Sequence, residues 1–262
     1  MSFRFKQFYI DDSRCAMKVG TDGVLLGAWC PITNHKSQIT NTPVRVLDVG
    51  TGSGLIARML MQRYPEAEVE GIDIDENAVK QARENGVNAY CSSLQDWPNL
   101  QSSIFNLQST NQSSNRQSSN QSSNRQSSNR QLYDLVISNP PYFQNSLKNP
   151  DKGRQNARHT DTLSYEELIS HSARLLQENG QLALILPAEA ETEIREIAAR
   201  YGLSLARVTR VYSKNTKPAR RVLLAFSHSP LAISFIEDTL VLEDEKGGRS
   251  AAYSQLCQEF YL

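Results

Sequence analysis

The segment Ser138-Asn139-Pro140-Pro141-Tyr142 contains the most distinctive chemical groups of this sequence. Its two prolines fix φ and remove two backbone donors, so the neighbouring carbonyl oxygens remain available as acceptors. The Asn139 side-chain oxygen and the Pro140 carbonyl can both accept from one planar amino group, such as that of adenine. Two such acceptors favour a pyramidal nitrogen whose lone pair points at a methyl donor, and Tyr142 can stack on the base. The pattern indicates methylation of an amino nitrogen, catalysed mainly by positioning and dipoles. The alternative is a strand that ends in a Pro-Pro turn without a function.

A glycine-rich turn at 50–54 follows an apolar segment and indicates a cofactor site. Glycine stands at 50, 52 and 54, whereas the dinucleotide pattern G-x-G-x-x-G needs its third glycine at the position of Leu55. Asp48 before the turn and Asp73 further along suit S-adenosylmethionine, because one acid can serve its amino acid end and the other its ribose hydroxyls. A tight turn that binds no ligand is the alternative.

Strand and helix patterns alternate along the chain and predict how these motifs are positioned. Predicted strands cover 44–49, 69–74, 88–92, 132–138 and 181–186, and 203–212 with 221–227 form a closing hairpin. Predicted helices cover 55–64, 77–85, 164–176 and 189–200, the third with a capping box and an end at Asn179-Gly180. This order favours an α/β fold with a mainly parallel, doubly wound sheet, in which ligands bind beyond the carboxyl ends of the strands.

Composition excludes several classes of protein. The 262 residues carry 28 basic and 28 acidic groups, and no apolar run approaches the roughly 18 residues of a membrane span. The four cysteines are far apart, which fits neither a zinc knuckle nor a disulfide framework, so we expect no metal, no membrane partner and a cytoplasmic protein.

A low-complexity segment at 101–131 distorts these averages. It contains eleven Ser, seven Gln, six Asn and three Arg but no acid, so the other 231 residues have a net charge of −3. Such a composition cannot bury enough apolar surface to offset the entropy of ordering, and we expect a disordered insert.

Taken together, these motifs make the chain similar to class I S-adenosylmethionine-dependent methyltransferases with an Asn-Pro-Pro-Tyr motif. Within that group it closely resembles the bacterial tRNA1(Val) (adenine(37)-N6)-methyltransferase family, on the segments 17–29, 157–163, 221–227 and 260–262. The resemblance implies a Rossmann-like, seven-stranded, mainly parallel sheet with helices on both faces and a C-terminal β-hairpin. It also implies an N-terminal segment at 1–43, a methyltransferase domain at 44–262 and tRNA as substrate. The sequence does not fix the oligomeric state, for which a monomer is favoured.

The resemblance also assigns roles to residues. It implies that Asn139, Pro140, Pro141 and Tyr142 meet the target base. The residues implied to bind the cofactor are Asp48, Gly50, Thr51, Gly52, Gly54, Asp73, Ser93 and Leu94. Ser93 is a departure, because the family usually has at this position an acid that binds the cofactor adenine. We also expect a turn at 21–23 that closes over the cofactor, or a purely structural hairpin there.

Two basic stretches are candidates for contacts to the RNA backbone. The residues concerned are Lys148, Arg158, His159, Lys214, Arg220 and Arg221. The run from 203 to 236 contains no acid, although a basic run is more often a solvated face than a binding site.

Other functions stay open at this stage. The same motif serves enzymes that methylate a glutamine amide of release factors, but only about 45 residues precede the cofactor loop, too few for their N-terminal domain. Methylation of rRNA or DNA bases is a further alternative, and so is a non-catalytic module that binds S-adenosylmethionine or RNA.

Overall fold

The structure is a computed structural model that describes residues 2–30, 43–104, 132–141, 163–228 and 235–262. Its strands are β1 (Ser2–Arg4), β2 (Tyr9–Asp11), β3 (Arg45–Val49), β4 (Glu68–Asp73), β5 (Asn88–Cys91), β6 (Tyr133–Ser138), β7 (Leu176–Pro187), β8 (Ser204–Tyr212), β9 (Arg221–Ser227) and β10 (Ile236–Val241). Its helices are α1 (Thr21–Trp29), α2 (Leu55–Arg63), α3 (Glu76–Glu84), α4 (Tyr165–Leu175), α5 (Glu191–Arg200) and α6 (Ala251–Leu256). A 3-10 turn, Ala188–Ala190, precedes α5, and residues 97–104 are also helical.

The predicted α/β fold is confirmed. The main sheet has the order β10-β8-β9-β7-β6-β3-β4-β5, and the five strands from β7 to β5 run parallel. The predicted hairpin of β8 and β9 is present, with β9 antiparallel to both of its neighbours. The sheet has eight strands and not the expected seven, because β10 lies at its edge and pairs in parallel with β8.

The sheet separates two apolar cores, because successive residues of a strand face opposite sides. On one side, Val46 and Leu135 belong to the same core as Leu25 of α1 and Leu60 of α2. On the other side, Leu47, Val136 and Leu184 pack in a core with helices α4 and α5. The central strands are therefore buried on both faces, which explains their nearly continuous apolar sequences.

The N-terminal segment shares the first of these cores. Ile10, Leu25 and Leu26 are completely buried, and they pack in one cluster with residues of β3, β6 and α2. The segment therefore contributes to the core of the sheet domain and supports one wall of the cleft described below.

The expected disorder of the insert is wrong for its first four residues. Residues 101–104 continue the helix that begins at 97, and the remainder of the insert, 105–131, lies outside the described residues. Trp97 Nε1 and Gln101 Nε2 donate to Tyr133 Oη at 2.9 and 3.0 Å, and that hydroxyl donates to Glu70 Oε2 at 2.7 Å. Burial raises the pKa of the Tyr133 phenol, so it keeps the proton that it donates. The buried hydroxyl fixes Gln101 and so connects the first residues of the insert to the sheet.

The predicted helix end at Asn179-Gly180 is also wrong. Helix α4 ends at Leu175, and β7 begins directly with Leu176 paired to Tyr133. The register then shifts, so that residues 177–180 face the single residue Asp134 before pairing resumes. The Asn-Gly pair therefore lies in a bulge within the strand, a position that suits the same turn-forming residues as a helix end.

Among the described residues, no helix combines the length and the apolar character that a membrane crossing requires.

Candidate active site

A cleft of about 900 Å³ opens at the carboxyl ends of β3, β4, β5 and β6. The turns after these strands supply one wall, and the opposite wall comes from residues 15–23 of the N-terminal segment. The glycine loop and the Asn-Pro-Pro segment therefore face one cavity, as the parallel sheet predicts for neighbouring strand ends.

The glycines of the turn at 50–54 have different roles. All three have positive φ, which favours glycine. Among the residues that the structure describes, a Cβ on Gly50 or Gly52 would meet no atom within 4 Å, whereas a Cβ on Gly54 would lie 2.6 Å from Val87 Cγ2. Gly50 and Gly52 line the cleft and leave space for a ligand beside the backbone, whereas Gly54 allows the close approach of Val87 and of Ala82 in α3.

Asp48 lies beneath the loop and does not line the cleft. Its side chain is 1% exposed, and its Oδ2 accepts from Thr51 Oγ1 at 2.7 Å. Burial raises the pKa of this carboxyl to about 7, opposed by the hydrogen bonds from Thr51 and from the backbone of Ala57. In this arrangement the hydrogen bond between the Asp48 and Thr51 side chains fixes the loop, and Thr51 also lines the cleft.

Asp73 at the end of β4 faces the same loop from the neighbouring strand. Its Oδ2 accepts from the Gly52 amide at 3.0 Å, and its Oδ1 accepts from the Asp75 amide at 2.9 Å. The carboxylate is half-buried and lines the cleft, so it can also accept from a pair of hydroxyl groups.

Ile74 is a site residue that the sequence analysis missed. Its side chain is 62% exposed although it is large and apolar, and it lines the cleft directly after Asp73. Ser93 and Leu94, after β5, line the same end of the cleft. An exposed apolar side chain at this end of the cleft can pack against the face of a purine ring. The position of Ile74 directly after the acid at the strand end was the signal that could have identified this residue.

The Asn-Pro-Pro segment is held next to the glycine loop by the pairing of β6 with β3. Ser138 stands opposite Val49 in register, and Ser138 Oγ donates to the Val49 carbonyl at 2.8 Å. Asn139, Pro140 and Pro141 line the cleft, while Tyr142 lies outside the described residues.

The N-terminal segment brings an apolar side chain to Asn139. Met17 is 49% exposed, lines the cleft, and has its sulfur 4.0 Å from Asn139 Nδ2. The buried Asp12 holds this segment, since its Oδ2 accepts from the Val19 amide at 2.9 Å and its carbonyl accepts from Lys18 Nζ at 2.7 Å.

The expected turn at 21–23 is wrong in form, because these residues start helix α1. They nevertheless line the cleft. Gly23 has no side chain here, and a Cβ added to it would lie 3.1 Å from Leu55 Cδ2 and 4.0 Å from Asn139 Nδ2. The first turn of the helix therefore approaches both motifs closely.

The basic residues predicted to meet RNA divide into three groups. Lys148, Arg158 and His159 lie outside the described residues. Arg221 pairs with Asp22 of the cleft wall at 2.8 Å, and Lys214 lies 3.3 Å from Glu243. Arg220 is exposed and forms no ion pair with the part of the chain that the structure describes.

The chain is similar over nearly its whole length to three curated tRNA1(Val) (adenine(37)-N6)-methyltransferases. It is 40% identical to that of Porphyromonas gingivalis, covering 99% of this chain and 94% of the relative. The corresponding identities are 36% for Pseudoalteromonas translucida, with 99% and 98% covered, and 38% for Aeromonas hydrophila, with 99% and 97% covered.

Two family models match parts of the chain. The Eco57I restriction-modification methylase model matches residues 67–201, and the methyltransferase small domain model matches residues 35–95.

Solved structures confirm the class I methyltransferase fold. A predicted O-methyltransferase of Agrobacterium tumefaciens superposes with a TM-score of 0.59 at 16% identity, over 91% of this chain and 96% of its own. A Listeria monocytogenes protein described as a class I S-adenosylmethionine-dependent methyltransferase has a TM-score of 0.50 at 12% identity, over 88% and 70%.

Proposed function

We propose that this chain, which belongs to the tRNA1(Val) (adenine(37)-N6)-methyltransferase family, transfers a methyl group from S-adenosylmethionine to N6 of an adenosine in tRNA. The observation that carries this proposal is the juxtaposition of two motifs in one cleft. Ser138 Oγ is hydrogen-bonded to the Val49 carbonyl at the paired ends of β6 and β3, and the residues that follow these two strands, Asn139 and Gly50, line the same cleft.

The residues of the cleft fit the proposed cofactor. The open space beside Gly50 and Gly52 can receive its amino acid end, and Asp73 can accept from its ribose hydroxyls. Ile74 and the backbone of Leu94 stand where its adenine would lie, one strand further along the same edge. Asp48 supports the loop from beneath without reaching the ligand.

The protein contributes positioning rather than a strong base. When bound, S-adenosylmethionine supplies an electrophilic methyl group. Asn139 Oδ1 and the Pro140 carbonyl accept the two hydrogens of the target amino group, which directs its lone pair away from the ring plane. The amide nitrogen of Asn139 faces Met17 and Gly23 on the N-terminal wall of the cleft.

The target base must leave its stack to reach Asn139. Enzymes that act on a base in folded RNA take it from a loop or flip it out, and adenosine 37 lies in a loop. From this substrate we also propose a cytoplasmic location. The relatives named above are described as acting on adenosine 37 of tRNA1(Val), and we propose the same nucleotide for this chain.

The test compares Asn139→Ala with the wild type and with Asn99→Ala, an exposed asparagine on the helix at 97–104. N139A is expected to bind S-adenosylhomocysteine normally and to lose transfer to tRNA by roughly 100-fold or more. N99A is expected to behave as the wild type. Undiminished transfer by N139A would refute the role of this residue.

The substrate is tested separately with the purified protein and methyl-labelled cofactor. Transfer is expected to tRNA1(Val), to be lost when adenosine 37 is replaced by guanosine, and to be absent with a release factor. Nucleoside mass spectrometry of tRNA from cells without the gene should show the matching loss of N6-methyladenosine. Labelling of the release factor instead would establish the rival glutamine-amide activity.

A further inference from the structure

Ser93 and Asp96 form a closed pair of hydrogen bonds at the end of the cleft beside Ile74. Ser93 Oγ lies 2.7 Å from Asp96 Oδ2, and the Asp96 backbone amide donates to Ser93 Oγ at 3.1 Å. Ser93 lines the cleft, while Asp96 is exposed and is absent from the cleft lining.

The direction of the shorter hydrogen bond is fixed by chemistry. A carboxylate only accepts, so the hydroxyl hydrogen of Ser93 is donated to Asp96. One oxygen lone pair of the hydroxyl receives the Asp96 amide. The group that Ser93 can still engage in the cleft must therefore be a donor, because only an acceptor site remains on Oγ.

The position of Ser93 identifies that donor. The glycine loop, Asp73 and Ser93 follow the adjacent strands β3, β4 and β5 along one edge of the sheet. A nucleoside whose ribose meets Asp73 places its base after β5, beside Ile74 and Leu94. The 6-amino group of adenine is a donor, whereas the 6-oxo group of hypoxanthine is an acceptor.

We propose that Asp96 is a positioning residue that holds Ser93 as an acceptor for the 6-amino group of the cofactor adenine. The pair thereby makes the site select adenine against a 6-oxo purine. This inference rests on the proposed function, because it assumes a cofactor with an adenine base.

A purely structural role would also explain the two hydrogen bonds. Ser93 precedes the helix at 97–104, and a serine at such a position stabilises the helix by accepting from the amide three residues on. The two roles differ in one readout. Loss of a helix cap would weaken the binding of an adenine ligand and of a 6-oxo ligand equally. Loss of an acceptor held by Asp96 would change the preference between the two ligands.

The experiment is calorimetric titration of the full chain with S-adenosylhomocysteine and with S-inosylhomocysteine, its 6-oxo analogue. The variants are S93A, S93T and D96N. Ser250→Ala is the matched control, because Ser250 accepts from the Tyr253 amide at 3.0 Å in the same way at α6. Asp244→Asn is the matched control for D96N, since Asp244 accepts backbone hydrogen bonds in an exposed loop.

We expect the wild type to bind the adenine ligand more tightly than the 6-oxo ligand. S93A should bind the adenine ligand roughly fivefold to tenfold more weakly and the 6-oxo ligand unchanged. S93T should retain the preference. In D96N the new amide can donate to Ser93 Oγ, which releases the hydroxyl hydrogen toward the 6-oxo group, so the preference should fall by roughly fivefold.

Three results would count against these ideas in different ways. Equal weakening of both ligands by S93A, or an unchanged preference in D96N, would overturn the inference and leave a helix cap. Failure of the wild type to bind S-adenosylhomocysteine would instead overturn the proposed function. Thermal unfolding of each variant shows whether it is folded, and S93T tests the inference if S93A is not.

Discussion

Replacing Asp48 by asparagine should remove a pH-dependent loss of stability from the folded protein. Asp48 is completely enclosed, and burial raises the pKa of its carboxyl from 3.8 to about 7. Between these two values the folded chain keeps a proton that the unfolded chain has lost. Stability from this group is therefore fully present below pH 3.8 and falls as the pH rises through about 7.

The size of the effect follows from the two pKa values. One pKa unit corresponds to about 1.4 kcal/mol, so the whole shift corresponds to about 4 kcal/mol. Between about pH 5 and pH 8 the linkage relation assigns about 2.5 kcal/mol of lost unfolding free energy to this carboxyl. The amide introduced by the substitution would not titrate, and its oxygen can still accept from Thr51 Oγ1, which lies 2.7 Å from Asp48 Oδ2.

The assay is urea unfolding of the wild type and of D48N at several pH values from about 5 to 8. The absolute stability of D48N includes the cost of a new buried amide hydrogen, so the informative quantity is the change with pH. The two curves should converge or cross as the pH rises, with D48N gaining about 2.5 kcal/mol relative to the wild type. Asp244→Asn, in an exposed loop, leaves Asp48 in place and should follow the wild type. Parallel curves for D48N and the wild type would refute the raised pKa.

Three further predictions concern the loop, the sheet and the insert. Gly54→Ala should lower the free energy of unfolding in urea by roughly 2–3 kcal/mol, because its Cβ would be 2.6 Å from Val87 Cγ2. Gly52→Ala should lower it by about 1 kcal/mol and should mainly weaken the binding of S-adenosylhomocysteine measured by calorimetry. Equal losses of stability would contradict the two roles. Tyr133→Phe should cost roughly 2–4 kcal/mol in the same assay, because it leaves buried hydrogen-bonding partners unsatisfied, and a cost below about 0.5 kcal/mol would show that the network is unimportant. Deleting 109–131 should preserve the circular dichroism spectrum and tRNA methylation, and a large loss of tRNA affinity would instead show that its arginines take part.

The sequence was most informative where local pattern and packing agree. The strand–turn–helix unit at 45–63 was predicted from its apolar run, its glycines and its helical spacing, and β3 and α2 occupy these positions. The closing hairpin was predicted for the same reason. The fold places both motifs in one cleft because strand ends of a parallel sheet share an edge.

The missed elements depend on contacts between distant residues. Strand β10 has two acids near its start, Glu237 and Asp238, which reduce its apolar character. Arg207 and Arg210 of β8 pair with these acids at 2.9 and 2.5 Å, so the strand is specified by its neighbour. The helix at 97–104 likewise depends on the buried hydroxyl of Tyr133, which lies far along the chain from Trp97 and Gln101.

The basic hairpin shows why a list of cations does not define an RNA surface. Its sequence contains no acid, but the sheet brings acids from other elements to its arginines. Arg207 meets Asp238, and Arg210 lies between Glu237 and Glu191 of α5. The hydrogen bonds from Arg210 hold the pKa of the Glu191 carboxyl below its usual value, so the pair remains ionised.

Charges compensated in this way attract a phosphate weakly, because the neighbouring carboxylate repels it at nearly the same distance. Among the described residues, the hairpin cations that form no ion pair are Lys217 and Arg220, both exposed where the chain passes from β8 to β9. Arg221 is committed to Asp22 of the cleft wall, so it supports the shape of the site. We therefore expect the exposed connection at 215–220 to be the part of the hairpin that guides tRNA by charge, whereas the arginines within the strands stabilise the sheet.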